Sequence, residues 1–372
     1  MNIRHDSAVV AWLIETQAID RLRLIDVGAS GGIAAYWSQF GRALAAVGFD
    51  PLVNNVKKVA AAEQRPGVHY EAAFVGCQDF DRLLPPKERQ YYAQPFQRSS
   101  STDAQELMRM DYVAQVFNEG EPVIWSERNV TLDQFFENDA QWDFLKIDTD
   151  GSDFQVILGA ERMLTSGEFL GMVVESQFHG WLGDHSNTLT NMDRYLTHRG
   201  FGLFDFDRHR YSRRALPALF EYDIPAQTLS GPVVWGDALY FRDLAHPEYQ
   251  GQWHYQVTRE KVLKLVALYD VFGLPDCAAE LLLAHPALTS EQEREHLLNL
   301  LVASAGFSGT YAEHMARFRT NVRTFFPSAY RQASAASPPP AVAPEVQDAR
   351  STNAAEETIV SRLARILRRL PG

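Results

Sequence analysis

The chain has 372 residues, of which 46% are hydrophobic and 12% aromatic, enough for one large core with additions. Its formal net charge of −12 argues against nucleic acid as the main partner, which calls for a basic face. The two cysteines, Cys77 and Cys277, stand far apart with no CxxC partner, which excludes a disulfide framework or a zinc site.

No apolar run reaches the ~18 residues of a membrane span, and the segment MNIRHDSAVV has no secretory apolar core. The expectation is a cytosolic chain with reduced thiols.

Taken in order, residues 6–20 carry Val9, Val10, Leu13, Ile14 and Ile19 at helical spacing and predict a helix. Seven β-type runs follow: RLRLIDVG, AAVGFD, VHYEAAFVG, WDFLKIDTDG, FLGMVVES, FGLFDF and DALYFR. Most are apolar throughout, as strands buried on both faces are. Their alternation with helical patterns predicts an α/β fold with a largely parallel sheet.

Residues 74–141 form an insertion containing RSSSTD, a helical stretch at 106–117 and a candidate strand at PVIWSE. After residue 250 the pattern turns helical: REKVLKLVALYDVFG and the segments behind it predict amphipathic helices to about residue 330. Residues 331–353 are rich in Ala, Ser and Pro, and predict a flexible linker. The terminal EETIVSRLARILRRLPG places Ile359, Leu363, Ile366, Leu367 and Leu370 on one face beside four arginines.

LIDVGASGG joins an apolar strand to a small-residue turn, the arrangement that presents backbone N–H groups to a ligand. The dinucleotide fingerprint G-x-G-x-x-G meets Gly28, Ser30 and Ile33, so two of its three glycines are absent. No phosphate-loop motif is present either. Asp26 lies in the strand end and Asp50 ends the next strand, where an acid can accept from a ribose diol. A ligand with a ribose and a cationic amino-acid end suits both carboxylates, and S-adenosylmethionine is such a ligand. A tight turn without a ligand is the alternative.

The block KIDTDGSDFQVILGA places Asp148, Asp150 and Asp153 around Gly151 at a strand's carboxyl end. Asp150 and Asp153 also suit the start of a helix, where acids cap and complement the dipole. LIDVGASGG, GFDP, TLDQF and KIDTDGSDFQVILGA together resemble the FkbM family of S-adenosylmethionine-dependent methyltransferases, over roughly residues 20–243. Asp150 and Asp153 stand where that family has glutamates.

The resemblance implies a class I, Rossmann-like methyltransferase fold: seven mostly parallel strands, helices on both faces, the last strand antiparallel. It implies a domain over 1–250 and covers nothing behind it; there the residue patterns themselves give the helical extension at 251–330, the linker at 331–353 and the basic amphipathic helix at 354–372. It implies O-methylation of a sugar hydroxyl on a surface polysaccharide, lipid-linked glycan or glycosylated product. A small-metabolite methyltransferase and a non-catalytic scaffold for glycan assembly stay open beside it.

Under this reading Asp26 and the backbone of Gly28, Ala29, Ser30, Gly31 and Gly32 hold the methionine end. Asp50 holds the ribose, Ala72 and Ala73 border the adenine, and Ser100 or Ser101 and Asp148 complete the pocket. Asp148, Glu175 and His179 are the candidate bases, with His185 nearby. The carboxylates could hold Mg²⁺, but the spacing is not diagnostic and the metal-free reading is preferred. The basic RHRYSRRALP run reads as a solvated surface or a contact for an anionic acceptor. The terminal helix suits a membrane surface, at the inner face, or a glycan-assembly protein.

Overall fold

The computed structural model describes residues 1–77, 124–139, 141–149, 151–166, 168–178, 183–212, 216, 218–220, 227–247, 249–253 and 255–327. The expected helix at 106–117, Ser100, Ser101, Asp150, His179, the linker and the terminal helix lie outside them.

Helix α1 (Ala8–Glu15) starts at Ser7, whose hydroxyl accepts from the Val10 N–H, and buries Val9, Val10 and Leu13. Strand β1 (Leu22–Val27) runs into the glycine turn. The segment after the turn is a 3₁₀ helix (Ala35–Ala43) broken at Gly41, φ +52°. Trp37, Phe40 and Ala43 are buried along it, a spacing of three that the tighter helix stacks on one side. Then come β2 (Leu44–Asp50), α2 (Val53–Ala62) and β3 (Val68–Ala72).

VHYEAAFVG does not continue as one strand. A two-residue β4 (Phe74–Val75) leaves the main sheet and pairs with β5 (Asn129–Val130). The described part of PVIWSE, from Ile124, contributes a single bridge, Trp125 to Leu52. After α3 (Leu132–Phe135), closed by a Thr131–Gln134 capping box, come β6 (Phe144–Ile147), α4 (Asp153–Leu158) and α5 (Glu161–Thr165). DFQVILGAERML is therefore two helices. A Cβ at Gly159 would sit 1.9 Å from the Gly76 carbonyl, so the break lets the chain beside β4 pass close. β7 (Gly171–Gln177), α6 (Leu189–Thr197), β8 (Gly202–Arg210) and β9 (Val233–Phe241) complete the sheet, and the short α7 (Tyr249–Trp253) follows.

The strand order is β3-β2-β1-β6-β7-β9-β8. β9 is antiparallel to β7 and β8, and the other neighbours are parallel. Seven strands with the last one antiparallel is the class I methyltransferase sheet. The order reverses between β1 and β6, which makes their carboxyl ends the switch point where α/β sheets bind ligands.

Each sheet face carries a core. On one, Ile25, Leu145, Ile147, Met172 and Val174 pack under α4, α5 and α6. On the other, Leu24, Phe144, Val173 and Leu239 pack under α1, the 3₁₀ helix and α8 (Arg259–Val271). Every residue of α8 from Val262 to Val271 is buried, including Lys264 and Asp270. Lys264 Nζ lies 3.0 Å from both Asp143 oxygens, and Asp270 accepts from the Ser7 hydroxyl at 2.5 Å. The sequence showed charges at solvent-like positions; the fold pairs them inside. α9 (Pro275–Ala284) and α10 (Glu291–Ser304) pack outside α8. Residues Met1–Met315 form one compact unit, so the helices after residue 250 complete the sheet's own core. In the second unit, Phe318 and Phe325 make an edge-on ring contact.

Candidate active site at the switch point

The turn after β1 is fixed by backbone. The Gly28 and Ala29 N–H groups both donate to the Phe49 carbonyl at 2.9 Å, and the Asp148 N–H donates to the Val27 carbonyl. Gly28 has φ +89°, and a Cβ there would lie 1.7 Å from the Asp148 carbonyl, so only glycine fits between the ends of β2 and β6. The Gly32 N–H donates to Ala29, and the Ile33 N–H donates to the Tyr70 hydroxyl, which donates to Glu63. That leaves the N–H groups of Ser30 and Gly31 without an acceptor among the described residues. Of the five turn residues singled out by sequence, these two have backbone donors to offer. Asn55 ties the turn to the next strand: its side chain donates to the Ser30 carbonyl and hydrogen-bonds Asp50.

Asp26 is buried at the end of β1. Its register partner on β6 is Lys146, whose ammonium lies 3.3 Å from Asp26 Oδ1 and 3.3 Å from Asp148 Oδ2. Asp26 Oδ1 nonetheless accepts no aligned hydrogen bond. Burial pushes the Asp26 carboxyl above the usual range, and Lys146 offsets part of that. For Lys146, burial disfavours the charge, but Asp26 and Asp148 outweigh it and hold the ammonium above its ordinary value. A lysine inside the apolar FLKI strand was the available signal for this residue, and sequence reasoning passed over it.

Asp50 is buried at the end of β2, and its Oδ1 accepts from the Leu52 N–H at 2.8 Å. Burial is the main cause that raises its carboxyl. Ala73 is buried beside it, with its N–H on the Asp50 carbonyl. The Ser126 hydroxyl donates to the Ala72 carbonyl.

Asp153 is fully buried and accepts from the Thr149 and Gly151 N–H groups and from Asn187. Burial first and the Asp148 charge second push it up to about 7. Asn187 in turn accepts from the Phe154 N–H at the start of α4. Asp153 therefore pins the loop between β6 and α4 rather than capping the helix, whose N-cap residue is Ser152 with no side-chain cap bond. Among the described residues no cluster of three or more acids, histidines or cysteines is placed to hold a metal ion.

Register sorts the remaining polar groups. Val173 on β7 is the partner of Lys146, so Asp26, Lys146 and Glu175 lie on one face. Glu175 pairs with Asp237 on β9, and Asp237 pairs with Asp207 on β8. His209 belongs to the same row: its Nε2 lies 3.7 Å from Asp237 Oδ2, and its ring stacks on Trp235 with 3.7 Å between centroids. Tyr36, in the 3₁₀ helix, lies within electrostatic reach of both halves. Burial, then the charges of Asp26 and Asp237, push its phenol upward. The face thus carries a polar row along the carboxyl edge from β1 to β8. Sequence reasoning found Asp26, Asp148 and Glu175 but missed Tyr36, Lys146, His209 and Asp237, because β9 pairing alone brings the last two together.

Residues 41–203 match the family model described as the methyltransferase FkbM domain. No curated protein matches significantly. Among solved structures the chain is similar to a TehB-like SAM-dependent methyltransferase from Corynebacterium glutamicum ATCC 13032, at 12% identity, covering 64% of this chain and 89% of that one with a TM-score of 0.26. It is similar to a precorrin-6y C5,15-methyltransferase from Geobacter metallireducens GS-15, at 12% identity, 62% and 87% coverage and a TM-score of 0.27. It is also similar to TrmK of M. capricolum, solved with S-adenosyl-homocysteine, at 9% identity, 80% and 93% coverage and a TM-score of 0.25. Scores this low carry no argument, and the fold rests on the strand order itself. Residues 41–203 thus match the methyltransferase FkbM domain, and the strand order around them is that of a class I methyltransferase sheet.

Proposed function

We propose that this chain is an O-methyltransferase acting on a sugar hydroxyl of a surface polysaccharide, lipid-linked glycan or glycosylated product. The sugar acceptor rests on the family resemblance; the observation that supports the methyl-donor half of the reading is the switch point itself. There Ser30 and Gly31 present N–H groups without a described acceptor, beside a buried Asp26 oxygen that accepts no aligned hydrogen bond. Backbone donors without a described acceptor and a buried carboxylate, held 3.3 Å from Lys146, fit the carboxylate and ammonium of an amino-acid end. When bound, the cofactor supplies the methyl group, activated on a sulfonium.

In this reading Ser30 and Gly31 hold the amino-acid carboxylate, and Asp26 takes the ammonium while Lys146 keeps the carboxylate charged. Asp50 takes the ribose. Its position at the end of β2 suits that role, while the Leu52 N–H occupies one oxygen. Ala72 and Ala73 border the adenine. A sugar hydroxyl needs its proton removed as it attacks, which a positioned base speeds by about 10²–10⁴. Asp148, Glu175 and His179 are candidates from sequence, and His209, stacked on Trp235 with Asp237 3.7 Å away, is added to them. The basic segment at 354–372 would hold the enzyme near an acceptor made at a membrane. If deleting residues 351–372 leaves fractionation and partner capture unchanged, that role is wrong.

Incubation with labelled S-adenosylmethionine and fractionated glycans tests the reading. Label in a periodate-sensitive, protease-resistant glycan fraction is the expected result. Label only in small metabolites, or cofactor binding with no transfer to any fraction, contradicts it.

A further inference from the structure

We propose that the cavity between α1, α8 and α10 binds an uncharged pyranose unit of a glycan, at the opposite edge of the sheet from the switch point. The cavity measures about 480 Å³ and is lined by Trp12, Arg259, Ser290, Gln292, Glu293 and His296, a size suited to a small ligand. The Arg259 guanidinium fixes its place, because it donates to the Ala18 carbonyl just before β1 begins. Asp26 and the glycine turn stand at the other end of that strand.

The helices hold the walls. Leu297, Leu298 and Leu301 bury one side of α10. From the same helix His296 meets Trp12 of α1, with 5.1 Å between ring centroids and a tilt of 38°. Glu293 meets Arg259 of α8 at 2.5 Å. Trp12 is partly buried against the core beneath it, so its ring is positioned before any ligand arrives. The Ser290 hydroxyl caps α10 by accepting from the Glu293 N–H at 3.1 Å. The lining still has hydrogen bonds to make. Among the described residues the Trp12 indole N–H, the Gln292 amide and the His296 ring nitrogens have no hydrogen-bond partner, and the Ser290 hydroxyl proton has no acceptor.

Charge and shape choose the occupant. Arg259 is paired with Glu293, and Glu15, Glu291 and Glu295 stand exposed on α1 and α10, which disfavours an anion. Arg294, the other cation on α10, is held on the Pro286 carbonyl and the Thr289 hydroxyl. A cation finds no unpaired carboxylate in the lining. An apolar ligand would strip water from the polar groups and leave each of them without a partner. A flat heterocycle inserted between Trp12 and His296 needs about 7 Å between their centroids, and they are 5.1 Å apart. A pyranose meets every condition. It is neutral, and its hydroxyls both donate and accept. One face presents C–H bonds whose positive partial charge suits the negative face of an indole. The proposal goes beyond the methyl-transfer reading and does not rest on it. A chain that binds a glycan here and transfers no methyl group to it would defeat the sugar-acceptor reading alone.

Saturation-transfer difference NMR on the full chain tests the site. The probes are neutral pentasaccharides of glucose, mannose, galactose and N-acetylglucosamine, with a pentasaccharide of galacturonic acid as the charged control. The expected result is binding of at least one neutral pentasaccharide with a Kd at or below about 1 mM. Trp12→Leu should weaken that binding roughly tenfold. Gln292→Ala, exposed on α10, should weaken it about threefold with an unchanged Tm, which separates lost contact from lost fold. No neutral pentasaccharide bound by the wild-type chain overturns the proposal. So does tighter binding of the galacturonate control, or wild-type affinity in either variant.

Discussion

Lys146→Met removes the cation between Asp26 and Asp148 while keeping side-chain length. Asp26 is 2% exposed on its side chain, and Lys146 lies 3.3 Å from it. Removing one partner of a buried pair costs about 3–5 kcal/mol, because the other charge stays behind. Asp148, 46% exposed, adds little, since water already screens it. For a unit the size of Met1–Met315 the unfolding entropy is roughly 0.7 kcal/mol/K, so Tm should fall by about 4–7 °C at neutral pH.

The loss should depend on pH. The Asp26 carboxyl is already raised by burial and rises further without Lys146. A raised acid binds its proton more tightly folded than unfolded, so stability falls as pH rises through that window. The deficit of Lys146→Met should therefore shrink as pH is lowered from neutrality toward the ordinary aspartate value. Adding Asp26→Asn should restore most of the loss. Scanning calorimetry on the two single variants and the double variant reads this. A Tm within a degree of wild type, or a double variant no more stable than Lys146→Met, refutes the argument.

Gly28→Ala places a methyl group against the Asp148 carbonyl at a positive φ. It should cost roughly 1–3 kcal/mol and weaken cofactor binding at least about tenfold; calorimetric titration giving wild-type affinity would show that the turn does not shape the pocket. His209→Ala should lower methyl transfer by about 10²–10⁴ and leave cofactor affinity unchanged, and added imidazole should restore part of the rate. Wild-type turnover in that variant removes His209 from the reaction. Glu63 is held down to about 2, first by the Arg65 hydrogen bond. Its contribution is whole above the ordinary glutamate value and is lost as pH falls toward 2. Acid unfolding of Glu63→Gln should therefore be less pH-dependent than wild type below pH 4.5, and coincident curves would contradict this.

The strand ends were legible because buried parallel strands read as apolar runs and their turns need glycine or acids. LIDVGASGG and KIDTDGSD fell at the two carboxyl ends that flank the switch point. The 3₁₀ helix was not legible, because Trp37 and Phe40 fit an α-helical pattern until Gly41 breaks it. α8 looked amphipathic because Lys264 and Asp270 carry charge, and only tertiary contact with Asp143 and Ser7 reveals them as interior. His209 and Asp237 lie far apart in sequence and meet only because β9 runs antiparallel beside β8. Local pattern cannot supply such a pairing.

The central claim is that the β1–β6 switch point holds S-adenosylmethionine. Isothermal titration of the intact chain with S-adenosylmethionine tests it most directly, alongside Asp26→Asn and Asp50→Ala. The account predicts one site per chain, with affinity lowered at least about tenfold in each variant. No heat of binding with the wild-type chain, or full affinity in both variants, contradicts it.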